Sequence, residues 1–299
     1  MVKLTAAILM ISVAVISSQA QDAPVTKTQL ALVNTTAVPL TERFEHAVEG
    51  WISELAKQPE FAHWSSASWT RTPLGPGMHG WIVLVTIDGK EAGYLVVTSD
   101  TDNVFSLVEY GAGAYPLFSE SKLYQELVQQ SLIHPSDTYE ATPAYYSPFQ
   151  TVWQVTHRGE ELWLDGASGE LLSLETHVRE ALNERELTLS STYAERIERT
   201  QELPAHDPYK NISWVTAPPT KIKDLQQLQA FLDEGQTLTF VTEQYVCTIL
   251  YAFALTGYHQ WSEDGPFIRI EQDGSRFIPA ERLLHEGKLY VAQGERELH

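Results

Sequence analysis

The sequence predicts an α+β protein rich in antiparallel sheet, and three observations carry that expectation. Residues 81–87 (WIVLVTI) and 93–98 (GYLVVT) are β-rich runs, and the Asp88-Gly89 pair between them suits a hairpin turn with positive φ. Apolar residues recur at helical spacing in 41–57 (Phe44, Ala47, Val48, Trp51, Ile52, Leu55) and in 221–232 (Ile222, Leu225, Leu228, Phe231). A second group of strand-like runs follows at 237–242, 247–256 and 267–270.

Taken in order, the elements justify themselves locally. Pro59 stops the first helix, because proline lacks the N–H that a helix interior needs. A third strand at 104–110 follows the turn Asp100-Thr101-Asp102-Asn103. That turn has oxygen ligands but lacks the glycine and terminal glutamate of a calcium loop, so it reads as a hairpin connection. Ser119 or Ser121 can cap a helix running to about Leu132. Residues 152–156 and 161–164 form a hairpin around His157-Arg158-Gly159, and Leu164 to Leu172 reads as strand, tight turn and strand. Residues 175–204 are charged and poor in large apolar side chains, the composition of a solvated connecting helix. Gly235 ends the 221–232 helix. The run 247–256 (CTILYAFALT) is open between helix and buried strand by periodicity, and its aromatic and β-branched content with Gly257 behind it favours a strand. A turn at Asp273-Gly274 and a short helix after Phe277-Ile278-Pro279 complete the chain. The layout expected is two mixed domains, 40–175 and 206–299, joined by a charged helical linker at 176–205.

The amino terminus has a separate logic. A basic start at Lys3, an apolar run from Leu4 to Ile16, and small residues at Ser18 and Ala20 make a three-part secretory signal over residues 1–20. The apolar run is too short to cross a bilayer. Residues 21–39 read as a mobile leader. The expectation is a secreted, extracellular protein that does not span the membrane after signal cleavage, with a bacterial exoprotein the best match for its lack of disulfide potential. The sequons at Asn34 and Asn211 carry no weight in that setting.

Composition narrows the chemistry. The 299 residues hold 20 Lys and Arg against 39 Asp and Glu, a net charge of −19. Loss of residues 1–20 removes Lys3 and no acid, so the balance becomes one charge more negative. Such a chain is unsuited to nucleic acid, whose phosphates need clustered cations. Its single cysteine, Cys247, cannot make an internal disulfide, a redox pair or a thiolate zinc site. The ten histidines include no HExxH pattern, no GxSxG occurs, and Leu74-Gly75-Pro76-Gly77 is no phosphate loop. No cofactor or metal is expected.

Two stretches resemble known families. Lys90 to Asp100, with Val108-Glu109-Tyr110-Gly111, resembles the prosegment of streptopain-type cysteine peptidases and related inhibitors. Leu164-Asp165-Gly166 with Ser168-Gly169-Glu170 looks like the strand–turn–strand ending of the PepSY modules found in secreted peptidase precursors. Residues 224–292, above all Tyr251 to Tyr258 (YAFALTGY) and Arg276-Phe277-Ile278-Pro279, look like the C-terminal half of papain-like peptidases of the bacteriocin-processing type. In that family a histidine opens the strand and an aspartate on the next strand orients it. Here the histidine position is Tyr251 and the aspartate position falls near Glu271 or Asp273.

The resemblance therefore implies the fold without the chemistry. A cysteine peptidase needs a thiolate, a base beside it and a group to orient that base. Cys247 is the only thiol, in the same expected strand as Tyr251, where a small apolar side chain buried in the core is the plain reading. Its candidate bases are His259, His285 and His299. The function expected is that of a secreted, non-catalytic binding protein, a scaffold or an inhibitor acting on an extracellular protein or peptidase. The alternative is a divergent cysteine peptidase using Cys247 with His259. Oligomeric state is not legible.

Overall fold

The computed structural model describes residues 39–75, 79–183, 195–210, 212–262 and 265–291. The expected signal at 1–20, residues 21–38 of the leader, both sequon asparagines and His299 lie outside the described residues. The class is α+β with two antiparallel sheets.

Helix α1 (Leu40–Leu55) buries the face formed by Phe44, Val48, Trp51, Ile52 and Leu55, and Pro59 opens a 3₁₀ segment to Ser66 that buries Phe61 and Trp64. Strand β1 (Ser68–Pro73) leads into β2 (Gly80–Ile87), β3 (Lys90–Ser99) and β4 (Phe105–Ala112). Asp88 and Gly89 both take positive φ in the β2–β3 turn, as the sequence requires. Asp100 accepts backbone N–H bonds from Asp102 and Val104, so the acidic turn before β4 satisfies itself.

Helix α2 (Glu120–Gln129) is capped by Ser119, whose hydroxyl accepts from the Lys122 N–H. The second sheet is β5 (Glu140–Ser147), β6 (Gln150–His157) and β7 (Glu160–Asp165), in that order. The second strand expected after Asp165 is only a single bridge between Leu164 and Leu171. Helix α3 (Thr176–Asn183) follows.

The linker expected at 176–205 is only partly helical. Its distal part is strand β8 (Ile197–Glu202), paired antiparallel with β10 (Ile249–Trp261). Helix α4 (Leu225–Asp233), strands β9 (Leu238–Gln244), β10 (Ile249–Trp261), β11 (Pro266–Glu271) and β12 (Ser275–Pro279), helix α5 (Ala280–Glu286) and strand β13 (Lys288–Val291) complete the order.

One sheet runs through both halves of the chain: β1-β2-β3-β4-β12-β11-β10-β9-β13. The junction is β4 against β12, with Phe277 opposite Tyr110. Strand β10 makes the fold possible by its length. Its first half pairs with β9, through Ile249 to Leu255, and its second half pairs with β8, through Gly257 to Trp261. A bulge at Gly257 separates the two. Glycine is required there: φ is +141°, and a Cβ would fall on the Gln201 carbonyl oxygen.

The central strands of the main sheet are buried on both faces, so they contribute alternate residues to opposite cores. Leu95 and Val97 join Phe44, Phe61, Tyr110, Trp261 and Phe277 under α1. Tyr94 and Val96 face Leu123 of α2 and Tyr145, Trp153 and Leu164 of the small sheet. Leu228 and Leu232 of α4 and Leu283 of α5 cover Phe240, Leu255, Ile268 and Ile278. A fourth cluster joins the outer side of the small sheet (Ala144, Val152, Trp163) to Val178 and Leu182 of α3, and Tyr245 belongs to it.

Candidate functional site

Cys247 is not where the sequence reading puts it. Strand β10 starts at Ile249, and Cys247 stands in the four-residue turn that joins β9 to β10, exposed rather than buried. The turn is closed by the Gln244–Ile249 pair and by the Thr248 N–H donating to the Gln244 carbonyl at 3.1 Å. Tyr245, Val246 and Cys247 have φ of 52°, 59° and 61°. Three consecutive non-glycine residues in the left-handed region cost about 1–2 kcal/mol each, and nothing in the composition of the turn (no Gly, Asn or Asp) advertises it.

The strain is offset by burial. Tyr245 is 1% exposed and packs into the cluster of Ala144, Tyr146, Val152 and Trp163 on the small sheet, its hydroxyl 3.4 Å from the Thr151 carbonyl. Three residues past the turn's end, the Tyr251 hydroxyl donates to the Asp165 carboxylate at 2.9 Å. Asp165 is buried, and its other oxygen accepts the N–H groups of Ala167 and Ser168. Thus Leu164-Asp165-Gly166 of the first resemblance and Tyr251 of the second meet in space. Burial, and next the Asp165 charge, push the Tyr251 phenol far above its ordinary value, so Tyr251 acts as a fixed donor and not as a base. Neither expected orienting acid serves it. Glu271 instead pairs with Arg269 at 2.9 Å and accepts from Thr256 at 3.3 Å, and Asp273 sits in the β11–β12 turn with φ of 50°.

Beyond the turn lies a groove of about 580 Å³ lined by Cys247, Glu243, Leu250, His285, Lys288 and Val215, among others. Its lining mixes exposed apolar Val215 and Leu250 with charged Glu243 and Lys288. Val246, next to Cys247 in the turn, is 71% exposed, and Ile212 and Tyr209 are also exposed. Tyr209 is tied to this region, because the Ala252 N–H donates to its hydroxyl at 3.3 Å and its ring meets Trp214 edge-on.

The groove brings Cys247 and His285 to one place, but the thiol is prepared for inertness. It donates to the Glu243 carboxylate, and that bond, with the Glu243 charge, pushes the thiol above its ordinary value, against a smaller opposing pull from Lys288. A peptidase nucleophile needs the reverse, a thiolate held by a cation or a helix N-terminus. Glu243→Gln is expected to speed alkylation of Cys247 by iodoacetamide at pH 7 severalfold, read by intact-mass spectrometry.

His259 is no partner for Cys247. It lies near the far end of β10, on the order of 30 Å away at the strand rise of about 3.3 Å per residue. There it is buried, with its Nδ1 2.9 Å from the Tyr110 hydroxyl and its ring stacked on Phe277 at 4.2 Å. Burial, with a contribution from Arg269, drives its pKa down to about 3.

A second polar centre escaped sequence reading altogether. Glu109 of β4 and Arg276 of β12 are both buried and pair at 2.7 Å. Glu109 accepts from the Tyr94 hydroxyl at 2.5 Å and the Tyr145 hydroxyl at 2.7 Å, and Arg276 donates to the Pro148 carbonyl. Burial, the largest single influence, lowers the Arg276 pKa, but the Glu109 charge, its hydrogen bond and the Tyr94 and Tyr145 phenols together outweigh it and hold the value above the ordinary one. This centre spans β3, β4, β12 and the β5–β6 hairpin, and none of its side chains lines the groove beside the β9–β10 turn, which marks it as structural. No group of three or more His, Cys, Asp or Glu side chains among the described residues is arranged to hold a metal ion, and no helix among them is long and apolar enough to cross a membrane. No protein-family model and no curated protein matches this chain.

Proposed function

We propose that the chain is a secreted, non-catalytic binding protein that holds an extracellular protein, a peptidase included, at the groove beside the β9–β10 turn. The carrying observation is the pairing, at one groove, of exposed Leu250 and Val215 with a thiol bonded to a carboxylate. Exposed apolar groups gathered at a concavity favour macromolecular contact, and a protonated thiol disfavours covalent catalysis. The prosegment-like and papain-like resemblances give the same direction, since a prosegment works by docking on a folded enzyme. Tyr251, at the position of the papain-like histidine, is committed to Asp165.

The test uses the purified protein and a panel of extracellular peptidases, including papain-like ones. At micromolar concentration it should slow at least one of them, and Val215→Asp with Leu250→Asp should weaken that inhibition tenfold or more, because apolar anchors at the centre of an interface carry most of its energy. Casein and a fluorogenic peptide library should show no turnover attributable to this chain between pH 5 and 9. Turnover that disappears in Cys247→Ala would replace binding by catalysis.

A further inference from the structure

We propose that the β9–β10 turn is a spring-loaded strap, held wound by the insertion of Tyr245 into the small-sheet core and able to relax when that side chain withdraws. Two features together carry this. The turn keeps three successive non-glycine residues, one of them β-branched, at φ of 52–61°, a region such residues leave unless surrounding contacts hold them. Two contacts fasten the turn to the small sheet, a plug and a tether: Tyr245, fully buried among Tyr146, Val152, Trp163 and Leu182, and Tyr251 on Asp165. Between plug and tether the hairpin holds itself, through the Thr248 N–H on the Gln244 carbonyl and the β9–β10 ladder, and Ile249 packs against the small-sheet cluster. Val246, Cys247 and Leu250 are exposed.

Release has a direction. Once Tyr245 leaves its site, residues 245–247 gain by returning to negative φ, so the strain favours the open arrangement and the tyrosine burial favours the wound one. Such opposed terms make an element with two states, and a ligand selects between them only by touching them differently. Cys247, Glu243 and Leu250 form the hairpin's wall of the groove, so the strap's position sets the groove's shape. That consequence rests on the binding reading above, whereas the strap itself does not.

The experiment needs no partner, so its failure is distinguishable from failure of that reading. Hydrogen exchange by mass spectrometry is followed in the full chain at peptides covering 243–251, with the β2–β4 peptides as internal reference. Val246→Asn places a residue that tolerates positive φ at an exposed position. It should slow exchange at Thr248 and the first amides of β10 severalfold and raise the Tm by about 2 °C. Tyr245→Ala should speed exchange at the same amides tenfold or more, leaving the β2–β4 reference unchanged. Val246→Asn decides the matter even if Tyr245→Ala fails to fold: unchanged or faster exchange in 243–251 overturns the proposal.

Discussion

Arg276→Leu is expected to lower stability by about 3–5 kcal/mol, the range found when one member of a buried ion pair is removed. The reason lies in what stays behind. Glu109 is fully buried in β4, and with the guanidinium gone its negative charge has only the Tyr94 and Tyr145 hydroxyls for company. Two further acceptors lose their donor: the Pro148 carbonyl in the β5–β6 turn and the Gln272 amide oxygen. Because Arg276 sits on β12 and Pro148 belongs to the small sheet, the loss falls on the joint between sheets and not on one strand.

The same centre makes a sharper test through a double-mutant cycle. Glu109→Leu alone strands a buried cation and removes the acceptor of two buried phenols, each worth about 1–3 kcal/mol when left unsatisfied. Burial is the largest cause that holds both tyrosines above their ordinary pKa, and it remains when Glu109 is gone, so it still opposes relief of the defect by ionisation. The double variant Glu109→Leu/Arg276→Leu removes both charges at once and should cost at least about 2 kcal/mol less than the sum of the singles. Urea denaturation at pH 7, with the slope unchanged across the set, measures all four corners. Additive single costs would mean that the two residues act independently, against the 2.7 Å pairing.

What the sequence disclosed, and what it hid, follows from the range of the forces. Features governed by neighbours were legible: the Asp88-Gly89 turn, the Ser119 cap, the amphipathic faces of α1 and α4, and the end of α4 at Gly235 are all set within a few residues. Strand β8 was not. Ile197 to Glu202 (IERTQE) is largely exposed, so it carries no hydrophobic period, and its strand character comes entirely from the second half of β10. The left-handed turn at Tyr245 to Cys247 was hidden for the opposite reason. Local preference there is overruled by the burial of Tyr245, whose partners lie about a hundred residues earlier in the chain. Glu109 and Arg276 are 167 positions apart, and among 39 acids nothing singles out the one that is buried. The candidate site divides in the same way. Cys247 could be named because it is the only cysteine, but its turn, its bond to Glu243 and the groove it shares with His285 exist only in the fold. His259 could be named as a base, but not recognised as part of an aromatic core.

That core yields the second large effect, on acid stability. His259 stands against Tyr110, Phe61 and Phe277, and the chain of donors runs from the Trp261 Nε1–H to the Tyr110 oxygen at 3.0 Å and on to His259 Nδ1. The Tyr110 hydroxyl accepts from Trp261 and has its own hydrogen to give, and in the neutral Nε2–H form of His259 the Nδ1 lone pair is there to accept it. Protonation would remove that acceptor and place a charge in a buried site near Arg269. Hence the folded pKa of about 3, far below the ordinary value near 6.5. The unfolded chain binds the proton between these two limits and the folded chain does not, so stability is fully present above about pH 6.5 and falls as the pH drops toward 3. Each unit of separation is about 1.4 kcal/mol, which makes the whole loss about 3–5 kcal/mol.

Other groups titrate in that window. Asp137, lowered chiefly by the His134 N–H, adds to the loss in acid, and Glu271, raised chiefly by burial, opposes it. Comparison with His259→Gln cancels both. Glutamine can still accept from Tyr110, at a neutral-pH cost of about 1–2 kcal/mol, and it has no proton to take up. Urea midpoints between pH 7 and pH 4 should fall more steeply for the parent, by about 2–3 kcal/mol over the range, and the two stabilities should converge near pH 4. Parallel pH profiles would locate the acid sensitivity in the carboxylates and leave His259 without a part in it.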